Sequence, residues 1–199
     1  MWKKLFLAAA VLSLGLSPAF AAETAAPVYK IDPVHSNFGF AVKHMQVSTV
    51  RGAFDAPAGT IQYDPADLST FKADVTIPVD SINTNNQRRD AHLKSGDFFD
   101  AAQFPSITFQ SSRLEKRGAG TVLIGDLTMR GVTKQLTIPV TINGPVTGMG
   151  GKKVIGLDAQ ITVNRQDFGI SWSKQLDNGG LVVADNVDLI INIEADNQG

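Results

Sequence analysis

The chain has 199 residues, no cysteine and a formal net charge of −1, with 18 basic against 19 acidic residues. This length suits one domain with a sizeable core, and the lack of cysteine excludes disulfides and thiolate metal ligands. Neither a nucleic acid nor an anionic membrane is indicated as a partner, because phosphate recognition needs clustered basic charge.

The first predicted element is a secretory signal peptide. Lys3 lies before an apolar run at residues 5–16, and a small-residue cleavage pattern ends at Ala21. An uncleaved membrane anchor is the alternative, but the run is well short of the ~20 residues that span a bilayer. We therefore expect residues 1–21 to be cleaved, a single domain over residues 22–199 and a periplasmic location.

Beyond the signal peptide, apolar and polar residues alternate in about eight runs, which predicts strands with one buried face. The first run places Val34, Phe38, Phe40 and Val42 on one face. Turn residues separate the runs and leave room for a crossover helix only between residues 81 and 104. We expect an all-β fold, an eight-stranded antiparallel barrel whose closure removes exposed edges, with a two-sheet sandwich as the alternative.

A short helix is predicted around residues 85–95, where β-branched residues are absent and Gly96 is placed to end the helix. Two adjacent aromatic residues, Phe98 and Phe99, follow between acidic residues. This pattern favours a helix that lies across one opening of the barrel, with the rings closing the interior.

Motifs for catalysis or metal binding are not found in the sequence. His35 and His44 are nine residues apart, so in a regular strand they project from opposite faces and cannot share one ion. His92 lies in the predicted helix. A nucleophile elbow, a His-Glu-x-x-His motif and a phosphate-binding glycine loop are all absent. We predict no metal site, no catalytic residue and no enzymatic activity.

Several sequence blocks occur in a fixed order between residues 29 and 169, within a resemblance that covers nearly all of residues 29–196. They are YKIDPVHS at 29–36, SINT at 81–84, RDAHLKSGDFFD at 89–100, FPSITF at 104–109, GDLTMRGVTK at 125–134 and NRQDFG at 164–169. In this order the blocks resemble the YceI-like family of exported, lipocalin-like lipid-binding proteins.

The resemblance implies a lipocalin-like barrel with a helix near its opening and a long apolar cavity for a polyisoprenoid or other long-chain amphiphile, such as an isoprenoid quinone. A carrier or sequestering protein is the first hypothesis, with a homodimer and a transient membrane contact as further expectations. Two alternatives stay open. One is an enzyme or accessory factor that acts on an isoprenoid lipid and uses His44 or His92, and the other is a structural envelope protein without a ligand.

Candidate lipid-binding residues follow from strand faces and from the aromatic pair. The predicted wall of the cavity is Phe38, Phe40, Val42, Val75, Ile77, Phe109, Leu136, Ile138, Leu157 and Ile161. The predicted mouth is Phe98, Phe99, His44 and Arg89. No cofactor is expected other than the bound lipid.

Overall fold

A computed structural model describes residues 25–197, so the predicted signal peptide at residues 1–21 lies outside the described residues. Within that range the helix α1 spans Gln87–Lys94, and no helix is long and apolar enough to cross a bilayer. The strands are β1 (Val28–Ile31), β2 (Asn37–His44), β3 (Ser48–Phe54), β4 (Ala58–Asp64), β5 (Asp67–Pro78), β6 (Ile82–Asn83), β7 (Ser106–Arg117), β8 (Gly120–Met129), β9 (Val132–Thr147), β10 (Lys153–Asn164) and β11 (Val183–Asp196).

All of these strands belong to one antiparallel sheet. β1 and β2 are consecutive parts of the first barrel strand, and β3 and β4 are consecutive parts of the second. β11 pairs with β10 on one side, and with β2 and the end of β1 on the other. This pairing closes an eight-stranded barrel. The predicted antiparallel barrel is confirmed, and the sandwich is excluded.

The first barrel strand is interrupted between β1 and β2. Asp32 Oδ1 accepts a hydrogen bond from the Val34 backbone N–H at 2.8 Å, and this local turn diverts the chain away from the sheet. The prediction that Val34 shares the buried face of Phe38 was wrong, because Val34 is 81% exposed in the turn.

The helix α1 forms where the sequence predicted it and is capped at both ends. The Asn86 side chain accepts a hydrogen bond from the Arg89 N–H at 3.0 Å, which satisfies one free donor of the first turn. At the other end the Ser95 hydroxyl donates to the His92 carbonyl at 2.7 Å. None of the helix residues is fully buried, so α1 lies on the surface of the barrel opening.

The barrel has two different ends. The lid end is covered by residues 84–105, which include α1, and by residues 165–182, which connect β10 to β11. Within residues 25–197, the plugged end carries short turns, and both ends of this described range also lie there. Its interior is filled by Tyr29, Tyr63 and Phe71, which are all buried, and the last two rings pack edge to face with centroids 6.1 Å apart.

Candidate functional site

An apolar cavity of about 210 Å³ lies inside the barrel, between the plugged end and the lid end. Its wall consists of inward-facing aliphatic and aromatic side chains from the strands and the lid. Many of these side chains, such as Leu136, Ile138 and Leu189, are only partly buried although they point inward. The barrel interior is therefore hollow in this region rather than solidly packed.

All but two of the predicted site residues lie on the cavity wall. The residues so placed are Phe38, Phe40, Val42, Val75, Ile77, Phe98, Phe99, Phe109, Leu136, Ile138, Leu157 and Ile161. Period-two alternation places the strand residues there, and the loop after α1 brings in the two rings. That these residues bind a lipid stays a prediction.

His44 and Arg89 lie outside the cavity lining. His44 is the half-buried last residue of β2, where it pairs with Val183, a residue that does line the cavity. Arg89 donates from Nε to the Thr84 hydroxyl and from a terminal nitrogen to the Thr84 carbonyl, each at 2.8 Å. Arg89 thus ties α1 to the segment that follows β6.

Aromatic residues from both lid segments meet above the cavity. The Phe98 ring packs against Trp172, with centroids 5.2 Å apart, and the His92 ring lies edge-on to Trp172 at 5.1 Å. His92 Nε2 is also 2.8 Å from Asp97 Oδ2. Phe99 packs edge to face on Phe54 at 5.7 Å. Sequence reasoning did not identify Trp172 in this cluster, because its partners are distant in the chain.

The turn between β8 and β9 holds the two lid segments together. Arg130 donates to the Gly169 carbonyl at 2.6 Å and to the Gly96 carbonyl at 2.9 Å. One bond reaches residues 165–182, and the other reaches the loop after α1. The closed lid is therefore held by directed hydrogen bonds as well as by aromatic packing.

Among the described residues that line the cavity, Arg165 alone has a polar side chain, and it is only 4% exposed. Its Nε and terminal nitrogens donate to four backbone carbonyls and to the Asp185 carboxylate. The carbonyl acceptors are Ala184 at 3.0 Å, Ile170 at 2.6 Å, Trp172 at 2.8 Å and Val183 at 3.3 Å, and Asp185 Oδ1 accepts at 2.9 Å.

Burial lowers the pKa of the Arg165 guanidinium, and the neighbouring Asp185 charge opposes that shift. A guanidinium has five N–H donors, and five acceptors surround this one. Arg165 therefore fixes residues 165–182 against β11 and has no donor left for a ligand.

A second polar group lies on the outside of the barrel. Potential metal-ligating atoms of Asp32, His35 and Glu194 lie within 4.8 Å of one another. His35 Nδ1 is 2.8 Å from Asp32 Oδ2, and this hydrogen bond raises the pKa of His35 and lowers the pKa of Asp32. The hydrogen bond accounts for their proximity, and the predicted absence of a metal stays a prediction.

Comparison with known proteins identifies the family. The YceI-like domain matches residues 29–195. UPF0312 protein SA2479 of Staphylococcus aureus strain N315 is 39% identical over 160 residues, which cover 80% of this chain and 91% of the relative. UPF0312 protein SAV2687 of strain Mu50 has the same identity and coverage.

Solved structures share the barrel. The Burkholderia cenocepacia protein BcnA is 25% identical, with a TM-score of 0.72 and coverage of 82% of this chain and 98% of that chain. The Campylobacter jejuni YCEI protein is 36% identical, with a TM-score of 0.67 and coverage of 79% and 90%. The chain therefore belongs to the YceI-like family.

Proposed function

We propose that this protein is an exported carrier that holds a polyisoprenoid or other long-chain amphiphile, such as an isoprenoid quinone, in its barrel. The observation that carries the proposal is the wall of the cavity. It is apolar except for Arg165, and the donors of Arg165 are all taken by protein acceptors.

The physical chemistry of such a wall favours an apolar guest. A water molecule in a cavity needs two to four polar partners, and this wall offers almost none, so the cavity is either dry or filled by hydrocarbon. Each methylene moved from water to such a site contributes ~0.8 kcal/mol, so a long tail can bind without any ionic contact. The polar headgroup would then lie at the lid end, near His44 and Arg89.

A solved neighbour supports the choice of lipid. The polyisoprenoid binding domain from Saccharophagus degradans has a TM-score of 0.65 to this chain and covers 85% of it. At 14% identity the likeness shows the fold alone, so the ligand class enters here as our proposal.

The side chains of the cavity wall also favour a binding function over a catalytic one. Apart from Arg165, none of the lining residues within the range 25–197 carries a titratable side chain, so these residues supply no general acid or base to a bound lipid. His44 and His92, the candidates for an enzyme, both lie outside the lining.

Lipid extraction tests the proposal. Protein purified from the bacterial periplasm without detergent should release a lipid whose mass spectrum shows prenyl repeats, and N-terminal sequencing should show a start after Ala21 or Ala22. The delipidated protein should then rebind a polyprenol such as solanesol. If natively purified protein carries no lipid and delipidated protein does not bind solanesol, the proposal is wrong.

A further inference from the structure

Apolar side chains are exposed at the tip of the turn between β2 and β3, which lies at the lid end. Met45 is 45% exposed and Val47 is 84% exposed. The Met45 N–H donates to the Val182 carbonyl, and the Val182 N–H donates to the Lys174 carbonyl, each at 2.8 Å. These bonds join residues 43–48 and residues 174–182 into one projecting surface, called the rim below.

The rim begins where the cavity wall ends. Val42 lines the cavity two residues before His44, and Val183 lines it directly after the second rim segment. His44 and Val183 are paired in the sheet, so both rim segments extend from the same edge of the barrel. A molecule that leaves the cavity at this edge passes beside Met45 and Val47.

Turn geometry does not explain why a methionine is at the tip. Met45 has φ 50° and Gln46 has φ 63°, and the Val47 N–H donates to the His44 carbonyl at 3.2 Å. Two successive positive φ values are typical of a type I′ turn, for which Asn-Gly is strongly preferred and side chains such as these are unfavourable. Met45 is therefore exposed to solvent and has a backbone conformation that is unfavourable for methionine.

We propose that the rim docks on a phospholipid bilayer, so that lipid passes between the membrane and the cavity. This inference rests on the proposed lipid-carrier function. Met45 and Val47 would enter the boundary between headgroups and acyl chains. Lys43 and Lys174 are both exposed, one in each segment of the rim, and their long side chains can keep the charges at the headgroups. Asp177 offsets part of that positive charge. The two projecting segments of the rim suit a fluid bilayer better than the flat face of a protein.

The plugged end supplies a matched control. Val146 is 60% exposed and Met149 is 98% exposed there, so this end displays at least as much apolar surface. Its interior is filled by Tyr29 and Phe71, so a membrane contact at this end would not reach the cavity. Exposure alone predicts docking at either end, whereas the proposal predicts docking at the rim and not at the plugged end.

The test compares the double variants M45D/V47D and V146D/M149D with the wild type. Binding to phosphatidylcholine vesicles is measured by flotation, and the transfer of solanesol is measured from the same vesicles. We expect M45D/V47D to lower vesicle partitioning and the transfer rate at least about tenfold, since the turn between β2 and β3 loses the burial of two apolar side chains. V146D/M149D should behave like the wild type. Equal losses in the two variants, or no loss in M45D/V47D, would overturn the proposal.

A second variant separates docking from folding and from the carrier function. M45N/Q46G installs the preferred type I′ residues, so it should melt at a higher temperature than the wild type while its vesicle partitioning falls several-fold. Unchanged vesicle partitioning in this stabilised variant would contradict docking through the rim. Equilibrium binding of detergent-solubilised solanesol should be the same in all variants. If the wild type does not bind solanesol in this detergent assay, the proposed carrier function is wrong, regardless of the vesicle results.

Discussion

Filling the cavity should strengthen the fold and weaken lipid binding at the same time. Ala159 lies on the cavity wall in β10, between its sheet partners Val140 and Ile191. The substitution Ala159→Phe adds a phenyl ring that points into the empty space. Many substitutions that damage a binding site also destabilise the protein. A rise in stability together with a fall in lipid affinity would therefore identify the filled cavity as the cause.

The cavity volume sets the magnitudes. The added ring takes the place of about one isoprene unit of five carbons, which at ~0.8 kcal/mol per carbon costs up to about 4 kcal/mol of binding. That is up to about 1000-fold in Kd, and about tenfold if the tail can shift toward the lid. Filling a third of the 210 Å³ cavity, at about 24 cal/mol per Å³, adds up to about 2 kcal/mol to the free energy of unfolding.

Two assays read these effects. Solanesol binding to delipidated protein is followed by quenching of tryptophan fluorescence, and stability is followed by urea unfolding of the lipid-free protein. The control is Gln160→Phe, one residue along β10, where the exposed side chain points out of the barrel and both quantities should stay near the wild type. A folded Ala159→Phe protein that binds solanesol within twofold of the wild type would refute the reasoning.

Further predictions concern the polar and tightly packed positions. Arg165→Met leaves buried carbonyls without donors and should lower the free energy of unfolding by about 3–5 kcal/mol, seen as a melting temperature lower by about 10 °C. A loss below about 1 kcal/mol would contradict the role of Arg165 in fixing residues 165–182 against β11. Gly125→Ala places a Cβ 2.5 Å from the Phe109 ring, so urea unfolding should show a loss of about 1–3 kcal/mol, and wild-type stability would argue against this contact. NMR titration should place the pKa of His35 above 6.5, and Asp32→Asn should bring it back toward 6.5, whereas no change would exclude their hydrogen bond. The pKa of His35 is raised and that of Asp32 is lowered, so the pair contributes its full stabilisation between pH 3.8 and 6.5. The contribution is lost as pH rises through the folded-state pKa of His35, and it is also lost as pH falls through the folded-state pKa of Asp32.

The barrel and the strand residues predicted to line the cavity could be assigned from the sequence because a strand has a side-chain period of two. Once Ile138 is assigned to the inner face, Leu136 must lie on that face too, whatever the rest of the structure does. The helix was predictable for a similarly local reason, since helix propensity and capping residues act within one or two turns.

Features that depend on distant partners could not be predicted in this way. Arg165 looks like an ordinary polar residue after a strand, and only the folded chain brings the carbonyls of residues 170–184 around its guanidinium. Trp172 carries no periodic signal, and its place beside Phe98 depends on how two long connections meet. The interruption at Asp32 was missed because a side-chain hydrogen bond competed with the alternating pattern.

Native mass spectrometry of delipidated protein mixed with solanesol tests the central claim most directly. The apolar cavity predicts a one-to-one complex in the wild type and in Gln160→Phe, and a strongly reduced complex in Ala159→Phe. Absence of the complex in the wild type, or equal amounts in all three proteins, would show that the cavity does not hold the lipid.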